Sequence, residues 1–149
     1  MSALNELGGS ARRAIFDAMT ATAWADTRLA DEELLALEAV AGALELDGAS
    51  LRALRSGPPS LERLSAVELT SRERRVVFAC AAWLATVDAK ESAGEDVVLD
   101  RLRGALALAP DEATALRDKA RAIPREPPWA AHLERLIADV TAGPIPALG

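Results

Sequence analysis

Residues 12–55 and 74–117 align without a gap at a constant offset of 62, and fourteen of the 44 positions are identical. Seven of the matches are neither Ala nor Leu: Arg12/Arg74, Arg13/Arg75, Phe16/Phe78, Asp26/Asp88, Glu33/Glu95, Gly42/Gly104 and Arg55/Arg117. Shared helical composition alone gives roughly four or five matches over such a length, most of them Ala or Leu. The pattern reads as an internal duplication, in which one supersecondary unit is used twice and the two copies bury each other's apolar faces. The competing explanation is two similar amphipathic segments in chance register.

Each copy reads as three helices. In the first, a helix over about 10–25 leads through a polar loop at 26–30 to a helix over about 31–46. Leu34, Leu37, Ala41 and Leu44 share one face of that second helix at 3/4 spacing. Gly48 is expected to stop it, and residues 51–55 to begin a short third helix. In the second copy, Thr70-Ser-Arg-Glu73 is a capping box that opens a helix to about Val87. A loop at 88–91 and a second capping box, Ser92-Ala-Gly-Glu95, precede a helix with Val98, Leu99, Leu102 and Leu106 inward. Pro110 suits a first helical position, and residues 111–123 form the third helix with Leu116, Ala120 and Ile123 inward.

Gly57-Pro-Pro-Ser60 makes a rigid turn between the copies, followed by a bridging helix at about 60–69. After a linker at 124–128 comes an amphipathic helix at about 129–142, with Leu133, Leu136, Ile137 and Val140 on one face. It has no counterpart in the duplication. Residues 143–149 read as a tail. The expected domain therefore spans 1–123, with 124–149 as linker, appended helix and tail.

Composition supports this all-α reading. Ala (33) and Leu (22) supply 55 of 149 residues, Val, Ile and Thr together only 19, and Tyr none. Ala and Leu are the best helix formers, whereas strands favour β-branched and aromatic residues. One domain of this length buries enough surface to fold without a metal or disulfide. The lone Cys80 and lone His132 exclude an internal disulfide and a thiolate metal cluster, and argue against most zinc sites and against Ser/His/Asp or Cys/His nucleophile systems. A net charge of −6 argues against a nucleic-acid partner. The longest apolar run, residues 76–87, is too short to span a bilayer and reads as a buried helix. With no segment of signal-peptide type, the expectation is a soluble cytoplasmic protein with no transmembrane segment.

The duplicated acids are the candidate site. Asp26 with Glu33, and Asp88 with Glu95, both read Asp-x6-Glu, with the Asp after one helix and the Glu in the first turn of the next. A short turn can aim both carboxylates at one point, and oxygen-only groups suit a hard cation such as Ca²⁺ or Mg²⁺. The same residues also have a structural explanation. Glu in a first turn caps its own helix and interacts with the helix dipole. Asp can close the preceding turn, and Arg28 or Lys90, two residues on, could occupy the cation's place.

Charge is unevenly placed: residues 24–47 carry seven acids and one base, residues 86–100 five acids and one base, and residues 49–75 six arginines and three acids. If the loops meet across a pseudo-twofold axis, they form one acidic patch able to steer a partner.

The run Ala23-Trp-Ala-Asp26-Thr-Arg-Leu-Ala-Asp-Glu-Glu33-Leu-Leu resembles the tellurite-resistance TerB family, as does Val87-Asp88-Ala-Lys-Glu-Ser-Ala-Gly-Glu95. The family pattern is an apolar helix ending in Ala-Asp-Gly, a few polar residues, then Glu opening the next helix, twice in a pseudo-symmetric all-helical domain. The resemblance covers roughly residues 10–123 and leaves the last helix outside it. The family's glycine after the Asp is Thr27 and Ala89 here. Family members are associated with bacterial stress and tellurite resistance, often near membranes, and a similar domain begins a membrane-anchored DnaJ-like co-chaperone. The resemblance implies a binding or scaffolding module and no reaction.

The resulting expectation is a TerB-like domain of two pseudo-symmetric three-helix repeats with an extra C-terminal helix. Its role is that of a non-enzymatic stress-response module binding a divalent cation or a protein partner through Asp26, Glu33, Asp88 and Glu95. Peripheral membrane association would come through partners, and homo-oligomers are compatible with this reading. The alternative is a structural or oligomeric helical adaptor whose acids serve as caps. Paired carboxylates can also do acid/base work, but no nucleophile, phosphate loop or cofactor motif accompanies them.

Overall fold

The computed structural model describes residues 8–24, 31–46, 52, 69–85, 93–124 and 128–142, with the backbone alone for 31–33, 93–95 and 142. Among them are the helices α1 (Gly9–Ala23), α2 (Asp31–Ala43), α3 (Ser71–Leu84), α4 (Ala93–Ala105), α5 (Pro110–Arg121) and α6 (Trp129–Ala142), and no strand. The chain is all-helical over these residues, as the Ala/Leu composition predicts. None of these helices is long and apolar enough to cross a membrane.

Three of the four paired limits of the first four helices recur at the 62-residue offset of the sequence match. α1 and α3 begin 62 residues apart, and α2 and α4 both begin and end 62 residues apart. The capping box at α3 forms as expected: the Glu73 amide donates to Thr70 Oγ1 at 3.1 Å, and the Thr70 amide donates to Glu73 Oε1 at 2.9 Å. Pro110 stands in the first turn of α5, where its missing N–H costs nothing. The third helix of the first copy and the bridging helix at 60–69 fall almost wholly outside the described residues.

α2 ends earlier than the sequence suggests, and Gly48 does not stop it. The Leu46 amide donates to the Ala41 carbonyl at 3.0 Å and the Glu45 amide to Gly42 at 3.2 Å. This pair of bonds is a Schellman turn. α4 ends in the same way: the Leu108 amide donates to Arg103 and the Ala107 amide to Gly104, both at 3.1 Å. The left-handed residues are Glu45 (φ 59°) and Ala107 (φ 56°), again 62 apart. Glycine usually fills that position because an L side chain crowds the following carbonyl. Ala107→Gly is therefore expected to raise stability by roughly 0.5–1 kcal/mol, the relief of native strain exceeding the added unfolded-chain entropy. Urea denaturation of the variant checks this.

α1 and α3 pack on one another at the centre of the molecule. α2 lies on α1, α4 on α3 and α1, and α5 on α3. Residues 76–85 are buried without interruption, which is what an apolar run with no polar face requires of a helix. In α1, buried Thr20 and Thr22 keep their hydroxyls satisfied by donating to the carbonyls of Phe16 and Ala18, at 2.8 and 2.9 Å. Phe16, Leu37, Leu44, Phe78, Leu99 and Leu106, three pairs matched by the duplication, are all buried in one cluster.

α6 has no counterpart in the sequence match. It packs on α2, α3 and α5, with Leu133, Leu136, Ile137 and Val140 buried, the four residues the 3/4 spacing assigns to its apolar face. Trp83, whose counterpart in α1 is the small Ala21, makes the seat. Its ring meets Trp129 edge to face at 5.9 Å, and its Nε1–H donates to the Pro124 carbonyl at 3.1 Å. A buried indole thus finds both an aromatic partner and an acceptor, at the point where the linker leaves the repeat.

Candidate functional site

The expected site is built on the starts of α2 and α4. Because both helices begin at the same point of their copies, Glu33 and Glu95 are each the third residue of their helix. First-turn amides there have no partner within the helix, and the summed peptide dipole leaves partial positive charge, so a carboxylate at this position is favoured. Asp26 and Asp88 lie outside the described residues, as do Arg28 and Lys90 and the side chains of Glu33 and Glu95. The expected pairing of Asp26 with Glu33 and of Asp88 with Glu95 therefore also lies outside them. Among the described side chains, no three of His, Cys, Asp and Glu converge in a way that could hold a metal ion.

Two first-turn glutamates are described in full, and both fold back on their helices. Glu73 closes the box with Thr70. Glu112 Oε1 accepts from the Ala109 amide at 3.4 Å, while its other oxygen accepts from Arg75 Nε at 2.6 Å. Ala109 has no side-chain acceptor, so only this return half of a capping box exists at α5. Glu112 is buried, and its neutralising partner comes from another helix. One turn along α3 from Arg75 stands Ala79, which offers no acid to compete for it. In α1 the equivalent Arg13 meets Asp17 within its own helix at 3.3 Å.

The remaining chemistry is sparse. Cys80 is fully buried in α3, and burial pushes its thiol well above the usual range, which disfavours the nucleophilic thiolate. A small open cleft of about 190 Å³ lies between α3, α4 and α5, with Phe78 and Leu99 in its wall and Asp100, Arg103, Thr114 and Arg117 around it. Its arginines are engaged. Arg103 holds Asp100 at 3.4 Å and donates to the Leu108 carbonyl at 3.0 Å, and Arg117 holds Asp96 at 3.0 Å.

Sequence reasoning singled out neither this cleft nor the Arg75–Glu112 pair. The signals were present: Arg75 and Arg117 both belong to the identical matches, and Glu112 follows Pro110 in a first turn.

Comparison with protein-family models, with characterised proteins and with solved structures gives no match.

Proposed function

We propose that this chain is a non-enzymatic bacterial stress-response module of the TerB type, two pseudo-symmetric three-helix repeats with a C-terminal helix. It works in the cytoplasm and binds a divalent cation, Ca²⁺ or Mg²⁺, or a protein partner through its paired acidic loops. The observation that carries the reading is the recurrence at 62 residues of the starts of α1 and α3, of the starts and ends of α2 and α4, and of the left-handed turns after α2 and α4. A duplicated unit of this regularity gives Glu33 and Glu95 the same helical position, each preceded at equal distance by an Asp. Its net charge of −6 favours cations and basic protein surfaces over nucleic acid.

One observation favours the second reading, an adaptor whose acids only cap helices: Glu73 and Glu112 both fold back onto their helix starts.

Thermal denaturation with added CaCl₂ or MgCl₂ separates the two. Cation binding to the native state alone raises stability by about 2.7 kcal/mol at a hundredfold excess over Kd. Asp26→Asn with Asp88→Asn is expected to abolish most of that gain, because a hard cation needs formal negative charge in its shell. If the acids are caps, the cation changes little and the Asn variants stay nearly as stable, since Asn caps and closes turns about as well as Asp.

A further inference from the structure

Among the described residues, two large apolar side chains stand in solvent, Leu35 at 60% and Val97 at 58% exposure. They are 62 residues apart, at the same position of α2 and α4. A single exposed leucine is ordinary, but this exposure is duplicated and does not stand alone. Glu38 and Asp100, three residues on, are both exposed acids, and Gly42 and Gly104, seven residues on, are both exposed. With 3.6 residues per turn, positions 35, 38 and 42 fall within about 60° of one another around the helix axis, and 97, 100 and 104 do the same.

Nothing among the described residues calls for these glycines. A Cβ on either would meet nothing within 4 Å, and neither has a positive φ. The left-handed turn residues are Glu45 and Ala107 instead. Glycine is the poorest helix former after proline, so Ala would serve both helices better. Both copies nevertheless retain Gly, while 30 of the 44 aligned positions differ. A helical glycine in open space is useful where another backbone comes close.

We propose that these strips on α2 and α4 are docking ridges for an amphipathic helix of a partner protein carrying Lys or Arg beside its apolar residues. The partner's apolar residues cover Leu35 or Val97, its basic residues face Glu38 or Asp100, and its backbone approaches at Gly42 or Gly104. Charge selects this occupant. α2 itself carries four acids, Asp31, Glu32, Glu33 and Glu38, and no base, so its ridge attracts a basic helix, while apposing the ridges of two copies would set Glu38 against Glu38. Exposed Arg101 beside Val97, and Arg103 already holding Asp100, make the α4 ridge the weaker of the two. The ridges lie on the helix bodies and do not depend on the loops holding a cation.

The test uses the full chain, a chelator, and a labelled synthetic peptide of about 18 residues, five helical turns, with Leu at 3/4 spacing and Lys elsewhere. Saturable binding is expected, with amide shift changes clustered at 35, 38 and 42 and more weakly at 97, 100 and 104. The same peptide with Glu for Lys should not bind. Leu35→Ser with Val97→Ser should weaken binding about tenfold or more, near 1.4 kcal/mol, without lowering the melting temperature. Gly42→Ala with Gly104→Ala should raise the melting temperature while weakening binding. The proposal is overturned if shifts map elsewhere, if the Ser variant binds as tightly as the parent, if the Ala variant loses no affinity, or if the chain self-associates through these strips. Repeating the titration on Asp26→Asn/Asp88→Asn keeps this outcome separate from the fate of the loops, because the ridges should bind equally well there.

Discussion

Phe78→Ala is expected to lower the unfolding free energy by about 3–5 kcal/mol, the sum of the lost transfer energy of the ring and the cavity it leaves. Phe78 is 1% exposed on the central helix α3 and belongs to the same cluster as Phe16, Leu99 and Leu106. Two features keep the cost high. α3 packs against helices on several sides, so a void at Phe78 cannot be closed by shifting one neighbour. The residues before and after it, Val77 and Ala79, are fully buried too, which leaves little freedom for repacking. Urea denaturation with fluorescence detection measures the change, and a loss below about 1 kcal/mol would mean that the site collapses freely and that the α1–α3 core is loosely specified.

Glu112→Ala should cost about 3 kcal/mol, the lower end of the range for breaking a buried ion pair, because Arg75 keeps 26% of its side chain in water. The substitution removes two interactions at once: the 2.6 Å bond from Arg75 and the return bond to the Ala109 amide that caps α5. Glu112→Gln keeps one carbonyl oxygen, enough for one of the two donors, but loses the charge and turns an NH2 toward the other, so it should cost only somewhat less than Ala. Arg75→Ala leaves Glu112, with only 8% of its side chain exposed, without its charge partner. The double mutant should be less destabilised than the sum of the single changes, with a coupling of about 1–3 kcal/mol in a double-mutant cycle. Full additivity would show that the two side chains do not interact in solution.

The sequence carried the fold where apolar spacing and capping chemistry are local. The 62-residue offset located α1 to α4, the Thr70-x-x-Glu73 box started α3, and the 3/4 spacing of Leu133, Leu136, Ile137 and Val140 identified the buried face of α6. It misled at the end of α2, where Gly48 outweighed a subtler signal. The apolar residues Val40 and Leu46, and likewise Leu102 and Leu108, occupy the positions whose contact accompanies a Schellman turn, so a non-glycine residue is tolerated in the left-handed position between helix and loop.

The seat of α6 was not legible, because Trp83 reads only as part of an apolar run until its partners Trp129 and Pro124, 46 and 41 residues away, are placed beside it. The same limit applies to Arg75–Glu112, a pairing across 37 residues. For the acidic loops the sequence defined the spacing and the structure the helical position of Glu33 and Glu95, while side-chain geometry decides between cation and cap.

That geometry is best read in a crystal grown with CaCl₂ and measured for anomalous scattering. The account predicts one peak at each loop, with carboxylate oxygens of Asp26 and Glu33 around the first and of Asp88 and Glu95 around the second, at about 2.3–2.6 Å from the ion. Loops without peaks, with Glu33 and Glu95 folded onto the amides at the starts of α2 and α4 and Asp26 and Asp88 paired with Arg28 and Lys90, would contradict it.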